Sequence, residues 1–190
     1  MDKTILIGLV GENGSGKETF TQLLEGIVGQ SNLTHLRTSD LLKETLTMWH
    51  VPLTRRNLQE MAIIMDKAYG VGTLSRALLG RVRHANTDIV ILDGMRWLSD
   101  MELVRSFTPN IVVYITASIE KRYERTKARK EKEGEDKTSF EQFVSEEHIA
   151  TEVDIKKLAE QADYTIVNDD SLEDFKSKVQ EFYDTKLKNL

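Results

Sequence analysis

The stretch "IGLVGENGSGKETF", Ile7 to Phe20, constrains the fold more than any other part of the chain. An apolar, β-rich run, "TILIGLV" from Thr4 to Val10, breaks into Gly11, Gly14 and Gly16, then Lys17, and then "ETFTQLLEGIV" with helical spacing. Glycine inside a strand or helix costs stability, so a cluster at their junction calls for a special backbone path or a ligand. The residues fit G-x-x-x-x-G-K. In such a loop the backbone N–H groups of Gly11, Glu12, Asn13, Gly14, Ser15 and Gly16 curl around a polyphosphate. The positive end of the following helix adds to the field, and Lys17 reaches the β- and γ-phosphates.

Four further β-rich runs follow: "LTHLR" (Leu33 to Arg37), "DIVILD" (Asp88 to Asp93), "NIVVYIT" (Asn110 to Thr116) and "DYTIVN" (Asp163 to Asn168). The first, third and fourth of the five are nearly continuous in apolar residues, the pattern of strands buried on both faces. Helical segments alternate with them, which predicts an α/β fold of three αβα layers around a parallel sheet. Ser39 or Asp40 is the expected cap of "LLKETLTMW", and Thr54 the expected cap of "RRNLQEMAIIMDKAY". In the latter, Leu58, Met61, Ala62 and Met65 share one face and read as core. Ser171 opens a final amphipathic helix carrying Leu172, Phe175, Val179 and Phe182. Two segments exceed a minimal core: a helical excursion over 41–82, and a charge-dense stretch over 120–150 broken at Gly134. One domain spanning 1–190 is expected to contain both.

Composition narrows the classes. With 39% hydrophobic and 30% charged residues among 190, the chain suits a soluble globular protein. A formal net charge of -5 argues against nucleic acid as the main partner. The absence of cysteine excludes disulfides and thiolate metal sites. No signal-peptide pattern and no membrane-length apolar run is visible, so a cytoplasmic protein without a membrane partner is expected. The histidines His35, His50, His84 and His148 show no metal-ligand spacing and read as surface or packing residues, and Trp49 and Trp97 as core in preference to a pocket wall.

Asp93 ends an apolar strand and so belongs at the carboxyl edge of the sheet, where open α/β sheets bind ligands. There it can hold Mg²⁺ or orient a reacting group, or serve as a turn residue before Gly94. The guanidinium of Arg96, close behind, suits bidentate capture of a phosphate. Glu18 stands where the commonest form of the loop has Ser or Thr; it is either a metal ligand or a favourable acid in a helix's first turn.

"GENGSGKET" resembles the phosphate loop of the adenylate kinase and nucleoside-monophosphate kinase superfamily. "ILDGMR" is similar to the "DGxPR" segment of adenylate kinases and to "DGIRS" of a related adenylate kinase-like family. "ADYTIVNDDSLEDF" resembles the end of dephospho-coenzyme A kinases. The resemblance implies a five-stranded parallel sheet in the order 2-3-1-4-5, with helical acceptor-binding and lid insertions, and ATP and Mg²⁺ as nucleotide and cofactor. It implies that Thr19 contacts the α-phosphate, that Asn168 lies near the adenine ring, and that Arg96 grips the acceptor phosphate. It makes 41–82 the acceptor region, with Asp40, Arg55, Arg56 and Lys67 as candidates, and 120–150 the lid. Arg122, Arg125 and Arg129 recur there at helical spacing; Arg125 and Arg129, with Lys17 and Asp93, are the expected catalytic residues.

The function expected from all this is ATP-dependent transfer of the γ-phosphate to a small acceptor, foremost a nucleoside or deoxynucleoside monophosphate. Dephospho-coenzyme A is the alternative acceptor, and a nucleotide-hydrolysing switch or a non-catalytic nucleotide binder are the alternative classes. Oligomeric state and the choice of ATP over GTP stay open.

Overall fold

The computed structural model describes residues 4–129, 139–146, 150–188 and 190, with the side chains of residues 55, 129, 146 and 150–154 outside that description. Five strands, β1 (Ile5–Val10), β2 (Leu33–Arg37), β3 (Ile89–Asp93), β4 (Asn110–Thr116) and β5 (Tyr164–Val167), form one sheet in the order β2-β3-β1-β4-β5. Every pairing is parallel, with Leu9 opposite Asp93 and Arg37 opposite the same residue from the other side. The helices are α1 (Lys17–Val28), α2 (Thr38–Met48), α3 (Arg55–Tyr69), α4 (Thr73–His84), α5 (Leu98–Arg105), α6 (Ile119–Arg129), α7 (Phe140–Glu146), α8 (Ala150–Ala159) and α9 (Leu172–Phe182).

Side chains alternate across the strands, so the sheet has two apolar faces. Ile7 and Leu9 join Ile91, Val113 and Ile115 beneath Phe20 and Leu24 of α1 and Phe175, Val179 and Phe182 of α9. Leu6 and Val10 join Val90, Leu92 and Val112 against α4, α5 and α8 through residues such as Leu78, Val104 and Leu158. Both faces are covered, which explains why β1 and β3 read as unbroken apolar runs. Gly8 is crowded by the segment after β3 and by α5: a Cβ there would lie 2.6 Å from Met95 Sδ and 3.1 Å from Val104 Cγ2.

A third, smaller core lies inside the helical excursion, where Leu42 and Leu46 of α2 meet Met61 and Ala62 of α3 and Leu74 of α4. Leu58, Met65 and Trp97 pack on its edge, so the shared face read from α3 is core. Trp49 corrects the expectation of burial: it follows the last turn of α2 and is 59% exposed. The caps divide as well. Thr54 Oγ1 accepts from Asn57 N at 3.2 Å and opens α3 as expected. Helix α2 starts earlier than expected, at Thr38, with Arg37 at the cap position and Asp40 inside the first turn. There the strand runs straight into the helix, and the acid gains from the helix field in place of a cap bond. Ser171 and Asp174 form a reciprocal capping box at the start of α9. Among the described residues no helix is long and apolar enough to cross a membrane.

Two consequences for stability follow. Phe182 is fully buried, its ring 5.6 Å from that of Phe20 and 5.3 Å from that of Tyr164. Phe182→Ala is expected to cost about 3–5 kcal/mol, read from denaturant midpoints. At the opposite face, Asp163 accepts from both nitrogens of the Arg105 fork, at 2.8 and 3.0 Å, and from Val112 N at 2.7 Å. Burial pushes this carboxyl up, but the Arg105 hydrogen bonds, the Val112 amide and the Arg105 charge together hold it below the usual range. Its contribution is therefore complete above the unfolded value, near pH 3.9, and disappears as pH falls through the folded value. The stability gap between the native chain and Arg105→Ala should narrow below about pH 4 in urea titrations.

Candidate active site

The glycine loop lies between β1 and α1 at the carboxyl edge of the sheet, and its path is enforced by close neighbours. Gly14 has φ +80°, and a Cβ there would fall 2.4 Å from the Arg122 carbonyl oxygen of α6. Gly16 has φ +108°, and its Cβ would fall 2.3 Å from Asn168 Nδ2. Both positions exclude a side chain twice over, by backbone conformation and by space. Asn168 Nδ2 donates to the Ser15 carbonyl at 2.9 Å, and Asn168 N donates to the Thr116 carbonyl at 2.8 Å, so the residue ties loop and sheet together. Tyr114 of β4 donates its hydroxyl to Glu12 Oε1 at 2.6 Å. Burial and the neighbouring Glu12 push the Tyr114 phenol up to about 12, so it stays a donor across the neutral range. Lys17 Nζ donates to the Gly11 carbonyl at 2.8 Å and the Glu12 carbonyl at 3.1 Å, which lays its ammonium against the loop.

Five buried side-chain atoms have no hydrogen-bond partner among the described residues: Glu12 Oε2, Ser15 Oγ, Asp93 Oδ1, Arg125 Nη1 and Thr126 Oγ1. All five belong to the loop, the end of β3 or the α6 face above Gly14. Buried polar groups are almost always paired, so a cluster of exceptions marks a place built for something polar. Backbone amides, an ammonium and a guanidinium are the donor set of a polyphosphate site, and the loop fits one.

Beside the loop, the carboxyl ends of β2 and β3 bring a second group of charges together. Asp93 is 8% exposed, and its Oδ2 lies 3.3 Å from His35 Nε2. Burial pushes its carboxyl up, yet the His35 hydrogen bond and the neighbouring Lys17, His35 and Arg37 outweigh it and hold the carboxyl below its usual range. Glu18, in the first turn of α1, pairs with Arg37. The ligand atoms of Glu18, His35 and Asp93 all lie within 4.8 Å of one another. Two carboxylates and an imidazole at that spacing, with one carboxylate oxygen still unpartnered, fit a divalent cation. His35, which the sequence places among surface or packing residues, is part-buried and stands beside Asp93 and Glu18 in this group. Leu33, His35 and Arg37 alternate onto the face that α1 covers, as do Ile89, Ile91 and Asp93. Strand periodicity combined with the strand-end rule was the available signal for His35.

The acceptor candidates are arranged less completely. Gly94 and Met95 lead from β3 to Arg96, whose N–H donates to Asp100 Oδ2 at 2.8 Å. Trp97 N donates to the same oxygen at 3.1 Å, and Ser75 Oγ of α4 donates to Oδ1 at 2.6 Å. Burial pushes Asp100 up against the pull of these donors. This aspartate therefore fixes the backbone that carries Arg96, a part that no sequence motif announces. Asp40 pairs with Lys43 at 3.3 Å, and a groove of about 500 Å³ runs over Asp40, Lys43, Glu44, Thr47 and Met48. Lys67 is exposed in the last turn of α3, and among the described residues no hydrogen bond or ion pair joins it to the loop end. Arg56, also on α3, pairs with Glu60 on the surface. The side chain of Arg55 lies outside the described residues.

On α6, Arg125 is half-buried with Nη2 3.5 Å from Asn168 Oδ1, directly over the loop's anchor. Arg122 is buried and donates from Nε to the Ala117 carbonyl at 2.9 Å, holding the start of its own helix. The side chain of Arg129, and residues 130–138 and 147–149 of the expected lid, lie outside the described residues.

Comparison with known proteins agrees with this geometry. A UPF0200 protein of Methanococcus maripaludis is 25% identical over 172 residues, covering 90% of this chain and 91% of the relative. A UPF0200 protein of Thermococcus onnurineus is 26% identical over 96% of this chain and 98% of its own length. Among solved structures, TT1252 from Thermus thermophilus superposes with a TM-score of 0.66 at 19% identity, covering 96% of this chain and 98% of that one. A shikimate kinase from Bacteroides thetaiotaomicron gives 0.65 at 19% identity, covering 98% and 99%. At such identities the likeness carries the fold alone, and that fold is the P-loop kinase type with the sheet order described above. A family model described as "AAA domain" matches residues 10–144, from the end of β1 into α7, and the chain belongs to that family of P-loop proteins.

Proposed function

We propose that the chain is an ATP-dependent phosphotransferase that moves the γ-phosphate to a small acceptor, with a nucleoside or deoxynucleoside monophosphate as the first acceptor class. The observation that carries this reading is the set of buried, unpartnered polar atoms around a glycine loop whose shape is already enforced. A groove prepared in this way lowers the reorganisation needed when a triphosphate arrives, and catalysis of phosphoryl transfer is mostly positioning and charge neutralisation.

In this reading the amides from Gly11 to Thr19 hold the phosphates, and Lys17 leaves its carbonyl partners to follow charge on the transferring group. An acceptor oxygen attacks the γ-phosphorus while the bond to the β,γ-bridging oxygen breaks, and ADP departs with the electron pair. Arg125 is suited to the charge that develops there, with Arg129 as its expected companion. Arg96, on a backbone fixed by Asp100, clamps the acceptor phosphate, with Asp40, Arg55 and Lys67 as further acceptor-side candidates. Glu18 and Asp93 would hold Mg²⁺, which would supply positive charge to offset that of the phosphates. The segment 41–82 serves as acceptor region and 120–150 as lid, within one cytoplasmic domain.

Dephospho-coenzyme A stays as the second acceptor on the resemblance of the chain's last segment. Hydrolysis without acceptor, or binding without turnover, are the competing classes. Mass spectrometry of a panel of nucleoside monophosphates, dephospho-coenzyme A and water alone separates these: transfer needs an acceptor, hydrolysis does not, and a binder consumes no ATP. Lys17→Ala should lower kcat by about a hundredfold or more with unchanged circular dichroism; unchanged turnover would remove the loop from the chemistry. Arg96→Ala should raise KM for the acceptor by roughly tenfold or more, with KM for ATP nearly constant. The opposite pattern would move Arg96 to the nucleotide side.

A further inference from the structure

Three elements that are far apart in sequence converge on one point: Glu18 from the start of α1, His35 from β2 and Asp93 from the end of β3. We propose that this is a cation site whose imidazole ligand makes it select first-row transition ions over Mg²⁺, and that Arg37 is the internal cation that an incoming metal displaces.

Three observations support it independently. Ligand atoms of the three residues lie within 4.8 Å of one another, the spread expected of donors around one ion. Asp93 is buried and keeps one oxygen, Oδ1, without a partner among the described residues. His35 places Nε2 3.3 Å from Asp93 Oδ2, and in the neutral tautomer with its proton on Nδ1 this nitrogen offers its lone pair to the shared point. Mg²⁺ is a hard ion that favours oxygen and gains little from imidazole, whereas Mn²⁺ and more strongly Co²⁺ bind mixed nitrogen and oxygen sets. Mg²⁺, which phosphotransfer calls for, would still be held by the two carboxylates; the imidazole changes the order of preference.

Arg37 gives the site its second property. Its guanidinium is paired with Glu18, and it contributes with Lys17 to the positive field at Asp93. A metal must therefore exchange one cation for another at Glu18, since both cannot use the carboxylate fully. Removing Arg37 is expected to tighten binding of every divalent ion, because a competitor is lost. Removing His35 is expected to affect transition ions selectively.

The test uses the full chain without nucleotide, so its outcome is separate from the phosphotransfer reading. Mn²⁺ is titrated and followed by the loss of its free-ion electron paramagnetic resonance signal, with Mg²⁺ and Co²⁺ as competitors. One Mn²⁺ per chain is expected, displaced readily by Co²⁺ and by Mg²⁺ only at about tenfold or greater excess, with ¹⁴N modulation from a directly bound imidazole. His35→Gln should abolish the modulation and weaken Mn²⁺ by about tenfold or more, while Mg²⁺ shifts by less than about threefold. Glu18→Gln, at a half-exposed position, should also weaken Mn²⁺, and this variant keeps the test open should His35→Gln fold poorly. Stoichiometric binding without ¹⁴N modulation, equal affinity for Mn²⁺ and Mg²⁺, or no binding until nucleotide is added would each overturn the proposal.

Discussion

The hydrogen bond from Asn168 to the Ser15 carbonyl is the contact on which the site depends. A glycine loop alone is a floppy connection, because glycine loses more freedom on ordering than any other residue. Here the loop is fixed from outside: Asn168 holds Ser15, Tyr114 holds Glu12, and the Arg122 carbonyl of α6 leaves no room for a side chain at Gly14. These partners stand just past β5, on β4 and on α6, remote in sequence and brought together because the sheet is parallel and places its strand ends along one edge. The conformation of seven residues is thus a property of the whole sheet.

This distribution explains what could be read from the sequence. Strand and helix identities rest on local periodicity, and β2 and β4 begin and end where the pattern places them, at Leu33–Arg37 and Asn110–Thr116. The loop was legible because its chemistry is packed into seven consecutive residues. Sheet order came from resemblance and is seen directly in the pairing of β1 with both β3 and β4. Parts assembled from several elements were not legible. His35 carries no motif of its own, and Asp100 acquires meaning only through Arg96, Trp97 and Ser75, which meet it in space. Asp93 was visible because it ends an apolar strand before a glycine.

The misreadings share a cause. Trp49 reads from the sequence as core in preference to a pocket wall, yet large apolar side chains are often left at surfaces, and the core of the excursion closes without it. Asp40 was expected as a cap because aspartate favours that position, but β2 passes into α2 with no intervening loop for it to terminate. In both cases a preference of the residue yielded to the geometry of its neighbours.

The clasp of Ser75 by Asp100 also has a mechanical meaning. One buried carboxylate grips α4 with one oxygen and the backbone ahead of α5 with the other. A displacement of α4 would therefore act on the backbone at Arg96 through two short bonds to a single carboxylate.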